Sequence, residues 1–561
     1  MGYDVILIHP PAIYDFRKKP LFPGALGASA EHIQFIKVSI GMLSIADYLD
    51  RHGYKVILDN LADRMVSDKE FDAEEHIKNS QAGIYAIGLH WHHHAQGAIE
   101  VARLCKRLHP NSLVIIGGLT ATYFHEEIIQ KYEFVDAVVR GEGEKPLLEL
   151  VRAIEKHGRL TETPGLTYRM DTGEIRVIPL MPPTVSLDEF EFTRFDLLQP
   201  KTAVFPLDME PRGSLVVCRG CTYNCTTCGG SAYSYKTYFG MERPAFRSPK
   251  KIIEDIRKLN EQGIRFIGLY QDPRMGGERY WKELMAEIRR GKVDIERLTI
   301  DIFAPADEEF VREVATIGSR VVLYFCPDTG DDGVRRAQGR CYSTEDILKT
   351  VKLCNRYHIP VQVFFSVGLV GETSETIKET WELWDKLCSL DKAALTSGSF
   401  GKGVEHRIPI GGPIVGPIIL EPGSLAYDFP KRHGYKLLFN NLEEYIKGLS
   451  APSWHQWLNH ETKQLDKDAL IELILESVEY SINQRKKYEV YDKYQATVNQ
   501  FRAIADMVAV GAVNRIMSLS DITERESRLK SLRDALDSAL SPSSDKHDPY
   551  GYQEMIKKIW R

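Results

Sequence analysis

The sequence lacks the features of several common protein classes. Its 561 residues contain no apolar run approaching the roughly 18 residues of a membrane-spanning helix. The formal net charge of −6 argues against a general nucleic-acid-binding protein. The first residues carry no charged segment ahead of their short apolar run, so we expect no signal peptide. These absences predict a soluble, cytoplasmic protein in a reducing compartment, with no nucleic-acid partner and no membrane span.

Cysteine is scarce, with nine residues in 561, but four of the nine fall within one short stretch. These are Cys218, Cys221, Cys225 and Cys228, and the last three have the spacing C-x3-C-x2-C. Three thiolates on so short a loop can converge on one face of an iron–sulfur cluster, for which thiolates are the usual ligands. The glycine pair at 229–230 then lets the backbone approach a ligand closely.

Two other interpretations of the cysteines remain open from the residues alone. The four thiols could hold a structural zinc ion, although the cysteine pairs of zinc sites are usually separated by a longer loop. Disulfide bonds would require an oxidising compartment, which nothing in the sequence indicates.

The first 150 residues alternate short apolar strands with helices. Strands are predicted at 5–8, 55–58, 83–89, 112–116 and 135–139, and glycine or polar residues follow their carboxyl ends. Such alternation is typical of an open parallel sheet, in which ligands bind outside the carboxyl ends of the strands. The sequence has no G-x-G-x-x-G motif, so a dinucleotide is not the expected ligand.

The rest of the chain divides into three further regions. A hairpin is predicted at 165–179, followed by a proline-rich linker. From 211 to 425, strands at 265–270, 298–303, 320–325 and 361–365 alternate with helices, which predicts a partial (β/α) barrel with its site at the strand carboxyl ends. The predicted α/β fold therefore comprises a Rossmann-like parallel-sheet domain (1–157), a connector (158–210), a partial barrel (211–425) and a mainly α C-terminal region (426–561).

The cysteine spacing after a strand, at the start of a long α/β region, resembles the radical S-adenosylmethionine (SAM) superfamily. The resemblance implies that Cys221, Cys225 and Cys228 hold a 4Fe-4S cluster whose fourth iron binds the amino and carboxylate groups of SAM. Electron transfer from the cluster would cleave SAM to a 5′-deoxyadenosyl radical. Cys218 is not a ligand in this interpretation and could act as a redox or proton-transfer thiol.

Further SAM contacts are implied at the ends of the barrel strands, where each residue could equally be an ordinary loop cap. Asp328 stands where relatives often carry glutamate, so its contact is a departure from the family pattern. Arg340 matches an arginine that can pair with the SAM carboxylate through its planar fork. The full set of implied contacts is Gly229, Gly230, Gln271, Asp272, Asp328, Arg340, Gly368 and Gly371.

The first domain resembles the cobalamin-binding Rossmann-like domain that precedes many radical SAM domains. The strand end at 9–11, the turn at 117–118 and the run Arg-Gly-Glu-Gly-Glu at 140–144 carry this resemblance. The D-x-H-x-x-G signature is absent, so no histidine of that motif is assigned to cobalt. The implied cobalamin contacts are His9, Pro10, Ser39, Gly41, Trp91, His92, His93, Gly117, Gly118, Gly141 and Glu142.

The turn from Trp91 to His94 has three interpretations. It could be a polar helix start, or an independent metal site, since imidazole is a common metal ligand. It could also cover or coordinate the lower face of the corrin, because it follows the third strand of the sheet. We predict that it covers this face without ligating cobalt.

Taken together, the resemblance implies a cobalamin-dependent radical SAM enzyme that methylates a poorly activated carbon by way of the 5′-deoxyadenosyl radical and methylcobalamin. One alternative is ring formation, carbon–carbon coupling or rearrangement, including on a lipid. Another is a non-catalytic corrinoid or iron–sulfur carrier. The expected partners are a small-molecule, lipid or peptide substrate and an external reductant of the flavodoxin or ferredoxin type.

Overall fold

The computed structural model describes residues 2–22, 37–200, 212–318, 321–397, 414–490 and 493–540. Its strands are β1 (Tyr3–His9), β2 (Val56–Asn60), β3 (Ala82–Gly88), β4 (Leu113–Gly117), β5 (Ala137–Val139), β6 (Leu166–Arg169), β7 (Ile175–Val177), β8 (Leu198–Gln199), β9 (Arg212–Val216), β10 (Cys218–Arg219), β11 (Ala245–Phe246), β12 (Phe266–Tyr270), β13 (Arg297–Ile302), β14 (Val321–Asp328), β15 (Val361–Val367), β16 (Ile414–Pro417), β17 (Tyr435–Leu437) and β18 (His460–Thr462). Its α-helices are Ile40–Arg51, Leu61–Ser67, Ala73–Asn79, Ala95–Leu108, Leu119–Tyr123, His125–Lys131, Glu144–His157, Ala232–Phe239, Pro249–Glu261, Glu278–Arg290, Glu308–Ala315, Asp332–Ala337, Thr344–Arg356, Thr376–Thr396, Leu425–Asp428, Leu442–Leu449, Lys467–Lys487, Lys493–Met517 and Ile522–Leu540.

The first sheet has the strand order β7-β6-β5-β4-β3-β1-β2-β8. Its centre is parallel, and Val5 of β1 pairs with Val56 of β2 on one side and Ile84 of β3 on the other. The apolar residues of β1 are almost completely buried, because helices cover both faces of the sheet. This confirms the open parallel sheet predicted from the alternation of strands and helices. The predicted hairpin is also present, as the antiparallel pair β6–β7.

The connector packs on the first sheet. Strand β8 pairs in parallel with β2, through Leu58 and Leu198. Just before it, Arg194 forms ion pairs with Asp47 and Asp50 of helix Ile40–Arg51. Local sequence patterns give no sign of either contact. The connector predicted at 158–210 is therefore packed on the first domain as far as residue 200, and its residues 201–210 lie outside the described part of the chain.

The second sheet contains six parallel strands in the order β16-β15-β14-β13-β12-β9. Neighbouring strands are joined by helices, and β9 and β16 lie at the two edges, which confirms the predicted partial barrel. In β13, Leu298, Ile300 and Ile302 are buried, whereas Thr299 and Asp301 are partly exposed. Because side chains alternate along a strand, one face packs against the helices and the other faces the lumen.

The C-terminal region packs against the barrel through aromatic residues. Tyr427, Tyr435, Trp454 and Trp457 are buried and belong to the core, whereas Phe429 remains exposed. A short antiparallel strand pair, β17–β18, was not predicted, and residues 541–561 lie outside the described part. Among the described residues, none of the helices combines the length and apolar character needed to cross a membrane.

Candidate active site

A cleft of about 630 Å³ lies between the strand ends of the first sheet and the cysteine loop. The first sheet contributes the turns after β3, β4 and β5 and the start of helix Ile40–Arg51. The second sheet contributes the loops after β9, β12 and β13. The cleft therefore joins the two sets of strand ends at which the sequence predicted ligands. The predicted residues that line it are Ser39, Gly41, Trp91, His92, Gly117, Gly118, Gly141, Glu142, Cys218, Cys221, Cys225, Cys228, Gly229, Gly230, Gln271 and Arg340.

Three free thiols lie together on the loop after β10. Cys221, Cys225 and Cys228 are all reduced and partly exposed to the cleft. The amide of Tyr223 donates to the Sγ atom of Cys221, and the amide of Gly230 donates to that of Cys228, each at 3.3 Å. Backbone N–H groups directed at sulfur favour the thiolate form that an iron–sulfur cluster requires. The donor set therefore fits a cluster.

Cys218 has a different environment from these three thiols. It lies in β10, its side chain is 2% exposed, and its Sγ atom donates to the carbonyl of Gly220 at 3.7 Å. Burial raises its pKa above the usual value, and the neighbouring Cys221 raises it further. Burial also raises the pKa of Cys221, Cys225 and Cys228, so Cys218 differs from them in its place in β10 and its low exposure rather than in its pKa. The redox or proton-transfer role suggested for it stays a prediction.

Glycines form the wall of the cleft that belongs to the first domain. A Cβ atom on Gly117 would come no closer than 3.4 Å to the protein, at the carbonyl of Val139, and one on Gly41 no closer than 3.7 Å, at Ser39. Side chains at these positions would therefore occupy the cleft itself. Gly118 has φ +123°, and a Cβ there would lie 2.6 Å from the backbone of His90, so only glycine fits. This wall leaves room for a large ligand at the strand ends.

The histidine turn lies at the same wall, but only part of it lines the cleft. His90, Trp91 and His92 are lining residues, and burial, assisted by the charge of Arg219, lowers the pKa of His90 to about 4. His9 and His94 meet edge to face with their ring centroids 4.9 Å apart. His9, Pro10 and His93 are not lining residues, so the structure separates them from the other predicted cobalamin contacts.

Among the predicted SAM contacts, Gln271 and Arg340 line the cleft, whereas Asp272 does not. The Oε1 atom of Gln271 is buried and has no hydrogen-bond partner among the described residues, so a ligand could satisfy it. Asp272 is completely buried, and its carboxylate binds Arg274 and the amide of Phe303 instead.

The other predicted SAM contacts act within the protein or lie away from the cleft. Asp328 is the last residue of β14, and its Oδ2 atom accepts from the Nε atom of Arg340 at 2.6 Å. Gly368 donates its amide to Glu372 at 2.7 Å. Asp328, Gly368 and Gly371 are all absent from the cleft lining.

Arg219, which was not predicted, connects the two sides of the cleft. It follows Cys218 and forms ion pairs with Glu142 and Glu144 of the first domain, with 2.5 Å between Nη2 and the Oε1 atom of Glu144. Burial raises the pKa of Glu144, but the charge of Arg219 and its hydrogen bond outweigh this and hold the pKa below its usual value. The acidic run at 140–144 and the arginine between two cysteines were visible in the sequence, but their pairing was not.

Glu421 is a second unpredicted residue of the cleft. Its Oε2 atom accepts from the amide of Gly229 at 2.5 Å, and burial raises its pKa. A Cβ atom on Gly229 would lie 3.0 Å from both the Glu421 side chain and the carbonyl of Pro422. Glycine at 229 therefore permits the close approach of the C-terminal part of the barrel to the cysteine loop.

Two family models match the chain, one over the first sheet and the other over the second. Residues 30–151 match the B12 binding domain, and residues 215–383 match the radical SAM superfamily. The chain belongs to the cobalamin-binding radical SAM enzymes. The cofactors of this family are a 4Fe-4S cluster, SAM and cobalamin. The free thiols fit the cluster, and the open Oε1 atom of Gln271 fits a polar group of SAM. The glycine wall fits cobalamin.

Individual relatives of this radical SAM enzyme differ in their reactions. An uncharacterised methyltransferase of Pyrococcus horikoshii is 27% identical over 300 residues, which are 53% of this chain and 63% of the relative. The anaerobic magnesium-protoporphyrin IX monomethyl ester cyclase of Cereibacter sphaeroides is 24% identical over 359 residues, 62% of this chain and 55% of the relative. The matched region thus spans less than two thirds of either relative.

A solved structure supports the fold over almost the whole chain. The radical SAM methyltransferase TsrM of Kitasatospora setae, with cobalamin and a 4Fe-4S cluster bound, superposes with a TM-score of 0.57. The alignment covers 96% of this chain and 100% of TsrM at 17% sequence identity. At this level of identity the similarity concerns the fold alone.

Proposed function

We propose that this radical SAM enzyme is a C-methyltransferase, which adds a methyl group to a poorly activated carbon atom of its substrate. The observation that supports this most directly is the single cleft, in which Cys221, Cys225 and Cys228 face the glycine wall at Gly41 and Gly117. When bound, the cluster supplies the electron that cleaves SAM, and cobalamin supplies a carrier for the methyl group. A substrate in this cleft would reach both cofactors.

The residues of the chain would bind and orient the cofactors. We propose that Cys221, Cys225 and Cys228 ligate the cluster, while Gln271 and Arg340 hold the polar end of SAM. Asp328 fixes the Arg340 guanidinium through the Nε atom, and the carbonyl of Phe303 accepts from Nη1 at 3.1 Å. Nη2 and the second hydrogen of Nη1 are left to pair with a carboxylate. Trp91 and His92, on the opposite wall, would exclude water from the lower face of cobalamin.

A second candidate function is ring formation without net methylation. It is favoured by the similarity to the magnesium-protoporphyrin cyclase, which extends over 359 residues at 24% identity, against 300 residues at 27% identity for the methyltransferase. The same cleft would serve either reaction, because both need the SAM-derived radical beside cobalamin. The fate of the methyl group therefore separates the two.

The test is a labelling experiment with SAM that carries a deuterated methyl group. The reconstituted enzyme is incubated with reductant and separate small-molecule, lipid and peptide pools, and products are identified by mass spectrometry. Methylation predicts a product that keeps the intact deuterated methyl group, with 5′-deoxyadenosine and S-adenosylhomocysteine formed together. An unlabelled cyclised product with 5′-deoxyadenosine alone would refute methylation. The Cys225→Ala variant is the control and should give neither product.

A further inference from the structure

The cysteine loop has a second side, which faces away from the cleft and reaches the protein surface. Thr222 and Asn224, which lie between the cysteines at 221 and 225, are exposed. The side chain of Asn224 accepts from the amide of Tyr233 at 2.7 Å. A Cβ atom on Gly339 would lie 2.6 Å from the carbonyl oxygen of Asn224, so the backbone at 339 lies directly against the loop. Solvent is thus close to the cluster ligands on this side.

Two segments cross this outer side and are bonded directly to the loop through Thr226. The amide of Thr226 donates to the carbonyl of Gln338 at 3.0 Å, and its hydroxyl donates to that of Ala337 at 2.9 Å. The carbonyl of Thr226 accepts from the amide of Ala426, also at 2.9 Å. Residues 336–339 and 426–432 therefore form a surface only one layer of chain away from the cluster ligands. We call it the outer face.

The centre of the outer face is apolar and aromatic. The side chain of Phe429 is 44% exposed, whereas its neighbours Ala426 and Tyr427 are buried. Its ring lies 6.0 Å from that of Tyr233, centroid to centroid. Phe429 therefore offers one apolar contact that a partner could bury at the middle of an interface.

The rim of the outer face is basic. Arg336, Lys431 and Arg432 are exposed, and none forms an ion pair with another described residue. The nearby carboxylate of Asp428 is occupied, since it accepts from the hydroxyls of three tyrosines at 2.6–3.0 Å. Asp332 is likewise paired with Arg335. The tyrosine hydroxyls are neutral, so Asp428 keeps its negative charge, but three exposed cations against this one carboxylate still leave the face locally positive on a chain whose net charge is −6.

We propose that the outer face is the docking surface for an acidic one-electron carrier protein that reduces the cluster. The carrier loses one electron, the cluster gains it, and no bond is formed or broken. An apolar centre with a charged rim suits the small and short-lived interfaces of electron-transfer complexes. The basic rim matters because the chain as a whole would repel an acidic partner, and local complementarity sets the encounter rate. The proposal depends on the cluster and is independent of whether the reaction is a methylation.

The test measures binding of an acidic flavodoxin directly, by titration of the full-length, reconstituted protein. The variant K431E/R432E reverses both charges of the rim, and F429A removes the apolar centre. The control K69E/K530E makes the same change in net charge at two exposed lysines elsewhere on the surface. Iron content and circular dichroism check that all three variants are folded, which is the expected result because the altered side chains are exposed.

We expect K431E/R432E to weaken binding by about tenfold or more, through a slower association rate. F429A should weaken it several-fold, and the control should match the unaltered protein. Binding should also weaken between about 0.05 and 0.5 M salt, because exposed charges are screened. Cluster reduction by dithionite, a small chemical reductant, should be the same in all variants. Carbodiimide cross-links should join Lys431 to carboxylates of the flavodoxin.

Three outcomes would overturn the proposal. One is an affinity of K431E/R432E within about twofold of the unaltered protein, since rim charges at the true interface change association strongly. Another is an equal loss in the control, which would show that net charge alone is responsible. The third is the absence of salt-sensitive binding by the unaltered protein. None of these results bears on the product assay, so the docking surface and the proposed reaction can fail separately.

Discussion

The ion bridge of Arg219 allows a quantitative test of how the two sides of the cleft are held together. Replacing Arg219 with Met removes the guanidinium but keeps much of the side-chain volume. Glu144, whose side chain is only 2% exposed, then loses a charged partner that lies 2.5 Å away. The hydroxyl of Ser44, 2.6 Å from the Oε1 atom, remains as a donor but carries no charge.

Breaking a buried ion pair by removing one partner costs about 3–5 kcal/mol, because an uncompensated charge stays behind. At about 2–4 °C per kcal/mol for a unit of 150–250 residues, the thermal transition of R219M should fall by roughly 6–20 °C. The double variant R219M/E144Q should recover most of this loss, since the most deeply buried carboxylate is then absent and the remaining Glu142, which is 12% exposed, keeps the hydrogen bond from the amide of Thr184.

The assay is thermal unfolding followed by tryptophan fluorescence, with Arg152→Met as the control. Arg152 lies on the same helix as Glu144 and pairs with Glu149, but the two side chains are 49% and 47% exposed. An exposed pair of this kind contributes at most about 1 kcal/mol, so R152M should shift the transition by only a few degrees.

The pH dependence gives a second, independent readout. In the unaltered protein the folded pKa of Glu144 is held below its usual value, so its stabilisation is present above the unfolded pKa and is lost as pH falls through the folded pKa. Without Arg219, burial alone raises the folded pKa, and the variant should regain stability as pH falls from about 7.5 to about 5. An unshifted transition at neutral pH, or a deficit that does not change with pH, would refute this reasoning.

Three further predictions concern the cofactor sites. Cys221→Ala, Cys225→Ala and Cys228→Ala should each abolish iron incorporation on anaerobic reconstitution, whereas the buried Cys218→Ala should keep its iron; equal loss in Cys218→Ala would contradict the ligand assignment. Gly117→Val should leave the protein folded but prevent retention of about one corrinoid per chain on gel filtration, because its side chain would enter the cleft; wild-type retention would disprove this. In the unaltered protein, the electron paramagnetic resonance spectrum of the cobalt(II) form should show no nitrogen splitting from a protein imidazole. Trp91→Ala and His92→Ala should each change this spectrum. Unchanged spectra would mean that the turn is simply a helix start.

The sequence was most informative where structure follows from local periodicity. Most strands of the two sheets could be predicted because apolar residues recur with the spacing of the element, whereas the two-residue β8 and the edge strand β16 were not predicted. The cysteine loop could be predicted because its spacing is itself the chemical signal. Its position at the mouth of a sheet followed from the strand before it and the glycine pair after it.

Side-chain partners were harder to predict, because they depend on contacts between distant parts of the chain. Asp272 follows the end of β12 as expected, yet its carboxylate binds Arg274 and the amide of Phe303 rather than lining the cleft. Arg219 and Glu144 are 75 positions apart, and no periodic pattern connects them. The sequence therefore predicted which loops form the site more reliably than which atoms face it.

The C-terminal region shows why such contacts matter for the site. Asp428 accepts from Tyr123 of the first domain, 305 positions away, and from Tyr233 and Tyr238 on the helix that follows the cysteine loop. One carboxylate thus joins the first domain, the barrel and the C-terminal region beside the cysteine loop. Together with Glu421, which binds the amide of Gly229, it makes the segment after β16 a structural part of the cleft. The cleft therefore takes its shape only when all three regions are folded together.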